Sequence, residues 1–468
     1  MKARWIVLVV LVVVLGSMAS PAGAGQGDKI VRVKAGLDGW KVINNVCWLL
    51  GCQVLGALDV LPDQPTAPSS LFLVRGLIDN TLTFTLSLLG LAAVEPDLPV
   101  AVKQDDWGSW SSCQATAAVV DQLYDRTPET YYGSTAWHGY LTQPATSIVR
   151  LSNTHCDLRS TGGGVVAVID TGVDPDHPVL SSVLVPGYDF TRNSGSADEK
   201  ADVQQATAAV VDGTNWVNQA TAACVDQATA AVVDDPSHAA FGHGTMVAGV
   251  VHLVAPTARI MPLKAFGADG SGYTSDILRA INFAVQKGAK VLNMSFSRAT
   301  SSPELKNALD NAAKKGVVAV AAAGNDGKYT LVYPAAYDNV IGVASTANDD
   351  TRSTFSNYGA TLVSVAAPGE GIITTYPWAS YAAAWGTSFS TPFVSGAAAL
   401  VVGLQGSATP SQVASAIAHA KPLTSDLGSG RLDLYLAVGY GRSLWPYAPS
   451  SNVPDNCATS GQDWTPAP

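Results

Sequence analysis

Asp170, His243, Asn325 and Ser388 stand far apart in the chain, yet each sits where a side chain of its type could react. Asp170 ends the run VVAVID, residues 165–170, and Thr171-Gly172 follows it. A short apolar run without alternation reads as a buried parallel strand, and functional groups collect at the carboxyl ends of such strands. His243-Gly244-Thr245 opens an apolar helical run, 246–253, where an imidazole is exposed enough to exchange protons. Ser388 lies in GTSFSTP, residues 386–392, ahead of a helix of small apolar residues, 394–402; Ser395, Gly396 and Ala397 let that helix bury itself. A serine there has its own backbone N–H pointing toward any oxyanion formed at it. Asn325 follows a strand end in AAAGNDG, residues 321–327. Taken singly, strand-ending aspartates and helix-starting histidines are ordinary. Together they are the set for nucleophilic acyl transfer. The serine attacks, the histidine takes its proton, the aspartate fixes the tautomer, and the asparagine donates to the tetrahedral oxyanion.

Those side chains need a frame. Residues 141–440 alternate apolar strands with helices and predict a parallel α/β sheet. Ahead of them, residues 29–99 read as strand, helix, strand, strand, helix, strand, with helices over 37–50 and 82–91 and strands over 30–33, 53–55, 71–75 and 92–94. That order, βαββαβ, is a small sheet with two helices on one face. Residues 100–140 are turn-rich, and residues 443–468 are rich in Pro and Ser, a tail expected to wrap the surface.

Composition narrows the function. The 468 residues are 47% hydrophobic and 14% charged, with 27 Lys and Arg against 37 Asp and Glu, a net charge of −10. So acidic a chain has no general attraction for nucleic acid or an anionic membrane. Lys2 and Arg4, the apolar run 5–15 and Ala22-Gly23-Ala24 read as a secretory signal peptide over residues 1–24, too short to span a bilayer. The mature protein is expected to be exported and soluble. Six cysteines, at 47, 52, 113, 156, 224 and 457, suit an oxidising compartment, and none has zinc-site spacing. Cys47 and Cys52 could close a local loop; Cys113 with Cys224 and Cys156 with Cys457 are the pairings guessed for the rest.

A repeat interrupts the chemistry. QATAAVVD occurs at 114–121, 205–212 and 227–234, and as QATAACVD at 219–226. The paired valines argue against a freely solvated loop. We expect the copies to pack on one another as short strands or turns outside the core, stapled by Cys113–Cys224, or to form a plain surface insertion, 194–236.

DTG, HGT, AAGN and GTSFSTP, in that order, resemble the subtilisin-like serine proteases (subtilases, peptidase S8) over residues 164–434. The likeness extends to Val254-Ala255-Pro256, VLNMS at 291–295, Tyr333-Pro334-Ala335, Ala367-Pro368-Gly369 and Gly430-Arg431-Leu432. It implies an α/β fold of the subtilisin-like three-layer type with a parallel sheet, over residues 141–442. It also implies a serine endopeptidase with Asp170, His243 and Ser388 as triad and Asn325 as oxyanion donor. Gly270-Ser271-Gly272 and Ser295-Phe296-Ser297 match the two segments that pair with an extended polypeptide substrate, although the family usually has Gly where Ser297 stands. Gly324 and Val332 match the pocket for the side chain before the scissile bond, and Val332 in place of a common Gly implies a shallow one.

Residues 25–99 resemble the family's inhibitory, inhibitor-I9-like propeptides, small α+β ferredoxin-like domains, which implies a self-processed zymogen with its own propeptide as inhibitor and residues 100–140 as linker; the alternative is a permanent accessory domain. The expected state is a monomer. Two departures concern cofactors: Val179 follows His177-Pro178 where many relatives carry an acidic calcium ligand, and no polar loop interrupts the helix after His243. The usual calcium site is therefore expected to be absent, oxygen ligands elsewhere could still bind calcium, and catalysis requires no cofactor. The rival reading is a silent or repeat-based binding protein on the same fold.

Overall fold

A computed structural model describes residues 28–76, 92–102, 122–203, 222–225, 238–446, 448 and 457. The chain divides into two units, Met1–Ala57 with Pro68–Asp97, and Leu58–Ala67 with Leu98–Pro468.

In the first unit, β1 (Lys29–Val33), β2 (Gln53–Ala57), β3 (Leu71–Arg75) and β4 (Ala92–Pro96) form an antiparallel sheet in the order β2-β3-β1-β4. This is the strand order a split βαβ arrangement gives. Helix α1 (Gly39–Leu50) starts at Asp38, whose side chain accepts from Lys41 N, and stops at Gly51 in the left-handed conformation. Its Ile43 and Cys47 pack with Val31, Val33, Phe72 and Val74. Cys47 is bonded to Cys52 just past the helix end. The expected helix over 82–91 lies outside the described residues.

In the second unit the described strands are β5 (Pro99–Ala101), β6 (Pro128–Tyr131), β7 (Ser134–Trp137), β8 (Val165–Asp170), β9 (Tyr188–Asp189), β10 (Ala222–Val225), β11 (Arg259–Lys264), β12 (Ser271–Tyr273), β13 (Val291–Met294), β14 (Val318–Ala322), β15 (Val340–Thr346), β16 (Val365–Pro368), β17 (Ile372–Tyr376) and β18 (Ser380–Ala384). The described helices are α2 (His138–Thr142), α3 (Pro144–Ile148), α4 (Leu151–Cys156), α5 (His243–Val254), α6 (Thr274–Gln286), α7 (Pro303–Lys314), α8 (Thr387–Leu404), α9 (Pro410–Ile417) and α10 (Leu434–Leu444). Seven strands make one sheet in the order β16-β15-β14-β13-β8-β11-β9, and its pairs are parallel. Residues in β13, β14, β15 and β16 are buried throughout, as expected where both faces of a parallel sheet are covered.

Helix α8 is long and apolar enough to cross a membrane, yet 94% of it is buried within the fold. It packs against α5, and the approach is close because residue 396 is Gly: a Cβ there would lie 2.5 Å from Val254 Cβ. Segment Leu58–Ala67 belongs to this unit through α6, where Asn282 Nδ2 donates to Leu58 O (3.1 Å) and Gln286 Nε2 to Asp59 O (3.2 Å).

Of the repeats, the described part of the third copy is β10, which pairs antiparallel with β18 in a sheet ordered β10-β18-β17. It thus adds to the β17–β18 hairpin of the second unit. The other three copies and Cys113 lie outside the described residues. Cys156 and Cys457 are bonded, so the tail is tied to α4.

Candidate active site

Strands β8, β13 and β14 are neighbours and parallel, so their carboxyl ends share one edge of the sheet. Asp170 is the last residue of β8, Ser295 follows β13, and Asn325 stands in the loop after β14. His243 is the first residue of α5, and Ser388 is the second of α8.

Asp170 and His243 are fully buried, and His243 Nδ1 lies 2.7 Å from Asp170 Oδ1. Oδ1 also accepts from Thr171 N at 2.8 Å. That arrangement makes Nδ1 the protonated nitrogen and leaves Nε2 to accept. Nε2 is buried with no protein partner. The sequence led us to expect an exposed imidazole. Instead it packs against the Phe389 ring, centroids 5.5 Å apart, since the start of α8 lies against the start of α5.

Ser388 Oγ does not bond His243 here; it donates to Ser295 O at 2.9 Å. In return Ser295 Oγ donates to Ser388 O at 2.8 Å. Pro392 explains why that carbonyl needs a donor. In a helix it would accept the N–H four residues on, and proline has none. Ser295 Oγ is itself held by Asn293 Nδ2 (3.0 Å), whose Oδ1 accepts from Ser395 Oγ (2.8 Å).

Asn325 is oriented by its oxygen, which accepts from Thr387 N (2.9 Å) and Thr387 Oγ1 (2.7 Å). Its Nδ2 then faces the other way. A Cβ built on Gly386 would lie 3.4 Å from Asn325 Nδ2 and 3.8 Å from Ser388 N, so two donors border one small space. Gly386 leaves it empty. On Gly324 a Cβ would meet Asn357 Nδ2 at 2.7 Å, Ser297 Oγ at 3.2 Å and Val332 Cγ2 at 3.6 Å, so Gly324, Ser297 and Val332 are neighbours. Phe296 is buried beside Phe266, with ring centroids 5.0 Å apart, and leaves its backbone as the part of that segment able to meet a peptide.

The Gly270-Ser271-Gly272 segment already holds an extended strand. Strand β5 lies antiparallel to β12, with Ala101 opposite Ser271, Val100 opposite Gly272 and Pro99 opposite Tyr273. Val102 N donates to Gly270 O at 2.8 Å, and Thr274 N to Leu98 O at 3.1 Å.

Two residues escaped the sequence reading. Asn357 is fully buried; its Nδ2 donates to Ala323 O (2.9 Å), and its Oδ1 accepts from Asp326 N (3.1 Å) and Lys328 N (3.0 Å), bracketing Asn325. Only its place in a turn-like stretch, 356–359, marks it. Glu199 is fully buried beneath the dyad; one oxygen accepts from Thr171 Oγ1 and from Gly242 N (2.8 Å), the other from Thr245 N (3.2 Å) and Oγ1 (2.6 Å). Burial pushes its carboxyl up to about 7, against the pull of the two threonine hydroxyls. No local pattern announces it.

A serine at a helix start, an imidazole bonded to a carboxylate, and two N–H donors bordering one small space are the groups that serine hydrolase chemistry uses, here gathered on a parallel α/β sheet. Residues 161–441 match the model of the subtilase family. The chain is 34% identical to thermitase of Thermoactinomyces vulgaris over 298 residues, 61% of this chain and 91% of that protein. It is 36% identical to a thermophilic serine proteinase of Bacillus sp. (strain AK1) over 297 residues, 62% of this chain and 66% of that one. With subtilisin BL of Lederbergia lenta it shares 39% over 200 residues, 41% and 73% of the two chains. The chain belongs to the subtilase family, the subtilisin-like serine endopeptidases.

Proposed function

We propose that this protein is an exported serine endopeptidase made as a zymogen, with Asp170, His243 and Ser388 as triad and Asn325 as oxyanion donor. The observation that carries the reading is the pairing of a buried Asp170–His243 hydrogen bond with the space bordered by Asn325 Nδ2 and Ser388 N. Rotation about the Ser388 Cα–Cβ bond moves Oγ from Ser295 O to His243 Nε2. Oγ then attacks the peptide carbonyl carbon while Nε2 takes its proton, and the oxyanion receives the two N–H donors. Collapse breaks the C–N bond, His243 protonates the leaving amine, and an acyl group stays on Ser388. Water, deprotonated by His243, then releases the acid.

Backbone pairing along Gly270-Ser271-Gly272 selects extended main chain, so the substrates are flexible or unfolded polypeptides. The pocket at Gly324, Ser297 and Val332 suits small or medium apolar side chains; a peptide library in which Phe or Tyr dominates at that position refutes this. Residues 98–102 lie on that edge as a substrate strand would. This supports residues 25–99 as the intramolecular inhibitor. Export follows from residues 1–24, and the working unit is a monomer with no affinity for nucleic acid or membrane. No cofactor enters these steps. Calcium at the family's usual place does not fit this chain, because Val179 there is buried and has no side-chain oxygen where many relatives have a carboxylate.

The test is a fluorophosphonate probe on the secreted protein beside Ser388→Ala. Labelling at Ser388, absent from the variant, with a mature N-terminus beyond residue 97, is the expected result. A folded chain stripped of residues 1–97 that stays unlabelled sinks the reading and favours a binding protein.

A further inference from the structure

Asp170 and His243 are buttressed from behind by a carboxylate that a hydrolytic triad does not require. Glu199 sits at the first turn of a short 3-10 helix, Glu199–Asp202, and is fully buried. Its two oxygens take four donors: Thr171 Oγ1, Gly242 N, Thr245 N and Thr245 Oγ1. These come from the residue after Asp170 and from both sides of His243. Glu199 therefore ties together the two segments that carry the dyad.

The Thr171 hydroxyl is the informative member. It accepts from Gly244 N at 2.9 Å and has a single proton to give. Two acceptors lie within its reach, Glu199 Oε1 and Asp170 Oδ1, the latter at 3.3 Å. An ionised Glu199 claims the proton. A neutral Glu199 carries its own O–H, donates it to Thr171 Oγ1, and turns the threonine proton toward Asp170. The only proton gained comes from solvent; Thr171 donates one bond in both states, and accepts from Gly244 N alone when Glu199 is ionised and from Gly244 N and Glu199 when it is neutral.

We propose that Glu199 is a positioning residue whose protonation state decides, through the Thr171 hydroxyl, how many hydrogen bonds Asp170 accepts behind His243. The inference rests on the protease reading for its consequence, although the relay itself does not. An Asp170 relieved of one bond is the stronger partner for a forming imidazolium, so ionised Glu199 is the fast state. Titration falls in a useful range because burial holds the group near pH 7. The charges and titratable groups facing it are Asp170 from β8, His243 from α5, the Tyr376 hydroxyl from β17, and Lys264 from β11. Lys264 Nζ is spoken for by Thr171 O (2.7 Å), Phe266 O (2.6 Å) and Asp202 Oδ2 (2.5 Å).

Two measurements decide it. In the Ser388→Ala chain, which cannot digest itself, the His243 Nδ1 proton is followed by NMR from pH 5 to 9. A shift step centred near pH 7 that is separate from the imidazole's own protonation is expected, absent in Glu199→Gln, absent in Thr171→Val and retained in Thr171→Ser. With Ser388 intact, fluorophosphonate labelling of wild type should exceed that of Glu199→Gln at pH 8 by at least about threefold, and the two should converge at pH 6. Thr171→Ser should follow wild type. Persistence of that separate step in Glu199→Gln, or an equal labelling ratio at both pH values, overturns the proposal, as does a separate step untouched in Thr171→Val. Should Glu199→Gln not fold, the threonine pair decides alone. A wild type that shows the step but never labels keeps the relay and removes the protease reading; one that labels without the step does the reverse.

Discussion

Asn325 uses its one amide for two purposes, with Oδ1 fixed by Thr387 and Nδ2 turned to the space beside Gly386. Replacing it by Ala removes the donor and unpins Thr387. We expect kcat to fall by about 10²–10³-fold with little change in KM, the loss that removal of such a donor causes in a subtilisin. Steady-state kinetics on a chromogenic peptide checks it; a change confined to KM would assign the amide to substrate binding instead. A second residue-scale prediction concerns Ser388 O, which accepts from Ser295 Oγ because Pro392 has no N–H. Ser295→Ala leaves a buried carbonyl unmet and should lower stability by about 1–3 kcal/mol in denaturant titration. Pro392→Ala supplies a backbone donor to the same oxygen. The double variant should recover part of the loss, and strict additivity would refute that account.

At the scale of elements, α5 and α8 carry His243 and Ser388, the base and nucleophile of the proposed mechanism, and Gly396 sets their approach. A methyl at 396 would meet Val254 at 2.5 Å, far inside contact distance. Gly396→Ala should therefore destabilise by about 1–3 kcal/mol, and because the shift moves helix starts, Ser388 labelling should slow as well. A melt and a labelling rate measured together test this; a stable variant with normal labelling would show that the helices are free to part. This packing was legible from small residues at 395–397, and β8, α5 and α8 from unbroken apolar runs, since burial on all sides writes itself into composition. Residues 164–434 similarly carried the family in short motifs. Glu199 was not legible, because its partners are backbone and hydroxyl groups up to 46 residues away and it precedes a low-complexity stretch. His252 read as one more residue of an apolar helix. Its complete burial follows from packing that no local pattern reports. The partner of β10 was equally hidden, since a strand edge on β18 leaves no mark in the repeat itself.

For the molecule as a whole, buried imidazoles set the response to acid. Burial, with His177 and His155 nearby, holds His252 down to about 3, and burial holds His155 down to about 4 against its bond to Val254 O. Both folded-state values lie below the ordinary 6.5, so the unfolded chain binds more protons and stability is lost as pH falls below 6.5. Glu199 acts oppositely between 4.5 and about 7, where the folded chain holds the extra proton. For these three groups the balance is one proton, about 1.4 kcal/mol per pH unit, down to pH 4.5, and His177, which burial also holds below its ordinary value, adds to the loss in the same direction. Neither His252 nitrogen has a hydrogen-bond partner, so His252→Leu forfeits no bond and should move the acid-unfolding midpoint downward. An unmoved midpoint would place the acid trigger elsewhere. The Cys156–Cys457 bond closes a span of 301 residues, and its removal by Cys457→Ser should lower stability by about 2–5 kcal/mol, read from a melt.

The backbone passes between the two units at 57–58, 67–68 and 97–98. A cut after residue 97 severs one crossing, while the others still run through Leu58–Ala67, held on α6 by Asn282 and Gln286. Scission and departure thereby become separate events. On the proposed zymogen reading, activity should trail the cut by a lag set by how fast that loop peels away, and Asn282→Ala with Gln286→Ala should shorten the lag without changing the rate of cutting: a timer beside the lock.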